Sequence, residues 1–214
     1  MRHEPLAAVV MLIAGATALA GVQTNVDLPA IDDALTLIRS GSAGELARFN
    51  EPYRVKVEKA PVDYLEVVTP FRRIVLAGTA KAAVGDRSFG QRQAIESLSE
   101  GGERLDVYAE MTLSPLNNYI GVPDYVVTLI DRSDKRIEAT ATTRLSRWTP
   151  RLPGPPAVAP FQVPTTPRGS PLIGATVIAG FDLKMLAPAA TYDVIVELGN
   201  EELARVGIAL AGMR

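Results

Sequence analysis

Carboxylates, arginines, amides and a few aromatic rings are the residues with which this chain could do chemistry, because it contains no cysteine and a single histidine, His3. That histidine lies within an N-terminal stretch that reads as a secretory signal. Its loss on cleavage would remove Ser-His-Asp and Cys-His catalysis, imidazole or thiolate zinc sites, haem ligation through either side chain, and thiol redox exchange. Nucleophiles that work without histidine are not signalled either. No lysine follows a serine at the spacing of a Ser-x-x-Lys pair, no G-x-S-x-G elbow is present, and the glycines at 78 and 85 are misplaced for a phosphate loop. No catalytic residue, metal ligand or cofactor is therefore assigned from the sequence.

Paired carboxylates need neither missing residue type, so a glycan hydrolase or lyase is the enzyme class that survives this filter. Asp106, Tyr108 and Glu110 would project from one face of a strand. Residues four apart on a strand are roughly 13 Å apart, beyond the carboxyl separation of about 5 to 9.5 Å that glycosidases use. Glu138 or Glu197, on another strand, is the alternative partner. Two oxygen-rich turns, Asp131 with Ser133 and Asp134, and Asn200 with Glu201 and Glu202, match no calcium motif and suit hairpin turns.

The more distinctive chemistry is that of recognition. A loop from Ser114 to Pro123 holds Asn117, Asn118 and Tyr119, amides beside a ring that can hydrogen-bond and stack on a sugar or engage a partner loop. Trp148, the only tryptophan, follows a strand and stands before a proline-rich stretch. It either caps the core edge or joins Tyr119 or Tyr125 in an aromatic platform. Asn117, Asn118, Tyr119 and Trp148 are thus the candidate binding residues. Arg72 and Arg73 open a helix, where cations oppose the macrodipole, so internal pairing with acidic groups is expected of them rather than anion binding.

Positioning these residues requires a scaffold, and the hydrophobic period supplies one. Leu28, Ile31, Leu35 and Ile38 share a helical face that Gly41 ends, and Ser42 with Glu45 forms a capping box for a second, short helix. Tyr53 to Lys59 alternates as a strand, with Val62 to Val68 its partner. Thr69 and Pro70 then form an N-cap and first-turn proline for a helix that stops at Gly85, and a further helix is expected from Ser88 to Leu98. After Gly101 and Gly102 the period changes to 2. Strands are expected from Leu105 to Leu113, Tyr125 to Asp131 and Ile137 to Leu145, as an antiparallel meander, and later near Ile173 to Asp182, Tyr192 to Leu198 and Leu203 to Leu210. Eight of the sixteen prolines lie between Thr149 and Pro171, marking an extended crossover within one domain.

The expected fold is α+β: an antiparallel β-sheet or two-layer β-sandwich with N-terminal helices packed on one face or end. The organisation expected is a signal peptide over residues 1–20, then a single domain over 21–214 with its crossover at 149–171. The signal reading rests on Arg2, an apolar run from Leu6 to Leu19 and the small residues Ala18 and Ala20 around a cleavage position before Gly21. The run is roughly 14 residues, against about 20 for a spanning helix, so an uncleaved anchor is the alternative. A periplasmic or secreted location follows, with membrane attachment only if that segment is retained. With 22 basic and 24 acidic side chains there is no electrostatic case for nucleic acid. The function expected is an exported, noncatalytic binding or structural module of the bacterial envelope, with an envelope protein or a glycan as partner.

Overall fold

The computed structural model describes residues 21–22, 25–148 and 171–214. Residues 1–20, expected to be a signal peptide or anchor, and residues 149–170 of the expected proline-rich crossover lie outside the described residues. Among those described, no helix is long and apolar enough to cross a membrane.

Four helices and nine strands follow one another as α1 (Leu28–Ser40), α2 (Ala43–Asn50), β1 (Arg54–Lys59), β2 (Val62–Val68), α3 (Pro70–Ala83), α4 (Gln91–Gly101), β3 (Arg104–Thr112), β4 (Tyr125–Ile130), β5 (Arg136–Glu138), β6 (Ala141–Trp148), β7 (Leu172–Asp182), β8 (Thr191–Leu198) and β9 (Glu201–Ala209). All pairings are antiparallel and form two sheets, ordered β1-β2-β3-β7-β6 and β5-β4-β8-β9. Their inner faces share one apolar core, to which Val107, Val177 and Phe181 contribute from the first sheet and Val127, Val194 and Val196 from the second. The protein is thus an α+β sandwich with its helices on the N-terminal side.

Local signals set the helix ends. The Asp27 carboxylate accepts from the Ala30 amide at 3.0 Å at the start of α1. Ser42 and Glu45 exchange side-chain and backbone hydrogen bonds at the start of α2, so two orphan donors are satisfied at once. Thr69 caps α3 through the Arg72 amide at 3.1 Å, and Gly85 leaves that helix with φ +79°. The last helix starts later than its sequence suggests. Ser88 is taken up in a turn by the Asp86 carboxylate, so α4 begins only at Gln91.

The expected meander is not formed. β3 pairs with β2 and β7 in one sheet, while β4 pairs with β5 and β8 in the other. The single strand expected from Ile137 to Leu145 is two: β5 ends at Glu138, the chain crosses between sheets at Ala139 and Thr140, and β6 joins β7. The Thr140 amide and hydroxyl both donate to the Gly180 carbonyl, at 2.8 and 2.9 Å, and fasten the crossing. The alternation of residue types does not mark the crossing: Ile137 is buried in the core, whereas Ala141, Thr143 and Leu145 lie exposed on the outer face of the other sheet, opposite Gly180, Ile178 and Thr176.

The helices lie at the end of the five-stranded sheet where Val68 faces Asp106, and they build a second core from Ile31, Leu35, Phe71, Ile74 and Val75. Phe49 packs against both cores, with ring centroids 5.3 Å from Tyr53 and 5.9 Å from Phe71. Beneath this junction Arg72 is 3% exposed. Its guanidinium donates to Glu66 (2.5 Å), the Val67 carbonyl (2.5 Å) and Asn50 (3.0 Å), and lies 4.8 Å from the Tyr53 ring centroid. Burial pulls its pKa below that of an ordinary guanidinium, and the Glu66 charge opposes that pull.

Candidate functional site

Asp106, Tyr108 and Glu110 do project together from the outer face of the five-stranded sheet, beside Val68, Glu66 and Tyr64 of β2 and Gly180, Ile178 and Thr176 of β7. The two carboxylates are already engaged. Asp106 accepts from Arg73 at 2.8 Å and Arg104 at 2.7 Å, Glu110 from Arg147 and from the Thr176 hydroxyl, and Glu66 from Arg72. The inward pairing expected of Arg72 and Arg73 is what the structure has. Glu138 and Glu197 belong to the other sheet, where Arg136 holds both, so they do not approach Asp106 or Glu110 as partners.

A glycosidase acid needs a carboxyl held protonated near neutrality. Among the described residues, the carboxyls with displaced pKa values, Glu45, Asp86, Asp131 and Glu202, are all lowered, chiefly by hydrogen bonds to their anions. Burial pushes the Tyr64 and Tyr108 phenols above their ordinary 10.0, and neighbouring carboxylates add to it, so both stay protonated at neutral pH. The carboxylates of this face are ion-paired. The Asp131 carboxylate accepts from the Ser133 amide and hydroxyl and the Lys135 amide, which is turn geometry, while Glu202 pairs with Arg205. No group of three or more metal-binding side chains is placed to hold an ion among the described residues.

The loop after β3 is built differently. Leu113 donates to the Ile173 carbonyl at 3.0 Å, so the loop leaves alongside the start of β7. Asn117 then works as a strut: its side-chain amide donates to the Leu172 carbonyl at 2.7 Å and to the Ser114 carbonyl, and its Oδ1 accepts from the Tyr119 amide at 3.0 Å. With its amide spent on the chain itself, Asn117 is not free to serve as a ligand contact. What it holds outward is Leu116, 90% exposed, Ile120, fully exposed at 101%, Tyr119, 43% exposed, and the exposed Asn118.

Trp148 stands opposite the same Leu172 in the β6–β7 ladder, 37% exposed, with its indole N–H on the Ser146 hydroxyl at 3.0 Å. The loop and Trp148 thus share Leu172 as a neighbour. Tyr125 does not join them; it is buried in the sandwich core. Sequence reasoning picked out Asn118, Tyr119 and Trp148 in this place but passed over Leu116 and Ile120. Their signal was present: large apolar side chains between prolines and asparagines, in a segment too irregular to bury them on one face.

No family model, curated protein or solved structure matches the chain. Its function is therefore read from its own surface.

Proposed function

We propose that the protein is an exported, noncatalytic binding module of the bacterial cell envelope that engages an envelope protein or a glycan through the loop end of its sandwich. The observation that carries this reading is the set of exposed large apolar side chains, Leu116, Tyr119 and Ile120, on a loop that Asn117 ties to Leu172, the ladder partner of Trp148. Apolar side chains left together in water mark an interaction surface, and tyrosine and tryptophan are the residues enriched at the energetic centre of such surfaces. Asn118 supplies a donor and an acceptor at its centre. The arginine-paired carboxylates speak for the binding reading over the hydrolytic one.

The test combines purified peptidoglycan sacculi, for a glycan, with a photoreactive group at Asn118 in living cells, for a protein partner. Sedimentation with sacculi or a discrete cross-linked product is expected, and the L116S/Y119S/I120S variant should lose it. Its unfolding free energy should move by no more than about 0.5 kcal/mol. A variant that binds as before, or one that fails to fold, sinks the proposal. N-terminal sequencing addresses export separately: a chain starting at Gly21, or one retaining Met1 in a membrane fraction, supports it, and intact chain confined to the cytoplasm overturns it.

A further inference from the structure

Between the C-terminal turns of α1 and α3 lies a cleft of about 500 Å³, within the roughly 300–1,000 Å³ of small-molecule sites. It lies with the helices, away from the loop end, and the proposed envelope binding makes no use of it. Its floor is apolar, formed by Ile38, Ala82 and Phe89 around Gly78. A methyl group at Gly78 would come within 2.5 Å of Ile38 Cδ1 and 2.9 Å of Phe89 Cδ1, so bare backbone is what lets these two side chains close over α3.

Arg39 and Arg87 line the cleft, and neither has an ion pair or side-chain hydrogen bond among the described residues. They differ in this from Arg72, Arg73 and Arg147, which are folded onto carboxylates. Asp86 also lines the cleft but does not neutralise them. One of its oxygens accepts from the Ser88 amide at 2.9 Å and hydroxyl at 2.7 Å, and the other faces Lys81 Nζ at 3.6 Å.

The charge of the cleft follows from its parts. Arg39 and Arg87 contribute two positive charges, Lys81 and Asp86 cancel, and the C-terminal ends of α1 and α3 each place about half a negative charge nearby. An excess of about one positive charge remains over an apolar floor. A single carboxylate matches that excess and the planar donor fork of arginine, whereas a phosphate dianion exceeds it and a neutral lipid leaves it unanswered. We infer that this cleft binds a small monocarboxylic acid with an apolar tail or ring, its carboxylate on Arg39 and Arg87 and its apolar part against Ile38 and Phe89.

Octanoate, 1-octanol and inorganic phosphate, titrated separately into the intact protein by calorimetry and followed by methyl and amide NMR, test this. Octanoate should bind saturably and shift the Ile38 methyl and Gly78 amide signals. Octanol should bind at least about tenfold more weakly, phosphate should not saturate, and R39Q/R87Q should weaken octanoate at least about tenfold with an unchanged melting temperature. The proposal is overturned if octanoate fails to saturate, if octanol or phosphate equals it, if R39Q/R87Q binds as the parent does, or if the shifts fall on Leu116 and Ile120 instead. Failure here leaves the loop-end reading standing, since that rests on sacculi and cross-linking.

Discussion

At the end of the five-stranded sheet where Val68 faces Asp106, arginines turn inward onto carboxylates and aromatic rings, whereas at the end where Leu113 meets Ile173 a leucine, a tyrosine and an isoleucine stand in water. The first arrangement satisfies its charges internally and leaves little for a partner. The second satisfies its backbone, Asn117 and the Arg147–Glu110 pair, and leaves its apolar side chains unanswered. Around the two ends of this sheet, then, charge is a structural resource and apolar surface the functional one, and Arg39 and Arg87 of the helical cleft, unpaired among the described residues, stand apart from that rule.

The sharpest way to break this contrast is to remove Arg72. Arg72→Ala strips partners from Glu66, Asn50 and the Val67 carbonyl beneath the helix junction. It should cost about 3–5 kcal/mol, measured by urea unfolding, as expected when one member of a buried pair is deleted. A cost under 1 kcal/mol would mean the inward arginine is idle. Thr69→Ala comes next. It removes both the cap on the Arg72 amide and the donor to the Arg214 carbonyl, and should cost about 1–2 kcal/mol in the same experiment. The loop-end triple variant sets the opposite pole, with binding lost and stability nearly unmoved.

The smallest effect concerns acid. The folded pKa of Glu45 is lowered below 4.5 by its hydrogen bonds to Ser42. The contribution of the capping box is therefore fully present above that value and is lost as the pH falls through the lower, folded one. Glu45→Gln should flatten the acid limb of the stability curve without altering stability lost through Arg72. An unchanged acid limb would show that the box carries no weight.

What was legible in the sequence was local. Ser42 with Glu45, Thr69 with Pro70, and the glycines at 85 and 199 announce caps and turns because each signal acts within one turn of chain. Pairing acts across the fold and left no such mark. The residues from Ile137 to Leu145 alternate as one strand yet serve two sheets, and β3 and β4, read as neighbours, lie in different ones. The site was legible by place more than by role. Asn117 is conspicuous because asparagine turns chains, and turning the chain consumes its amide. Leu116 and Ile120 carried a weaker mark, large apolar residues in an irregular segment, and their exposure gives it its meaning.

One feature of β7 reaches past this molecule. Gly174 and Gly180 lie on the outer face of that strand, where an added methyl would meet Arg147 at 2.5 Å and Arg104 at 3.0 Å. Each glycine is the bed on which an arginine lies flat to reach its carboxylate. A side chain gained at either glycine would displace its arginine, Arg147 from Glu110 or Arg104 from Asp106, and leave Glu110 to the Thr176 hydroxyl and Asp106 to Arg73. Relatives should keep or lose each glycine and its arginine together, a mark by which distant members could be recognised when little else of the sequence agrees.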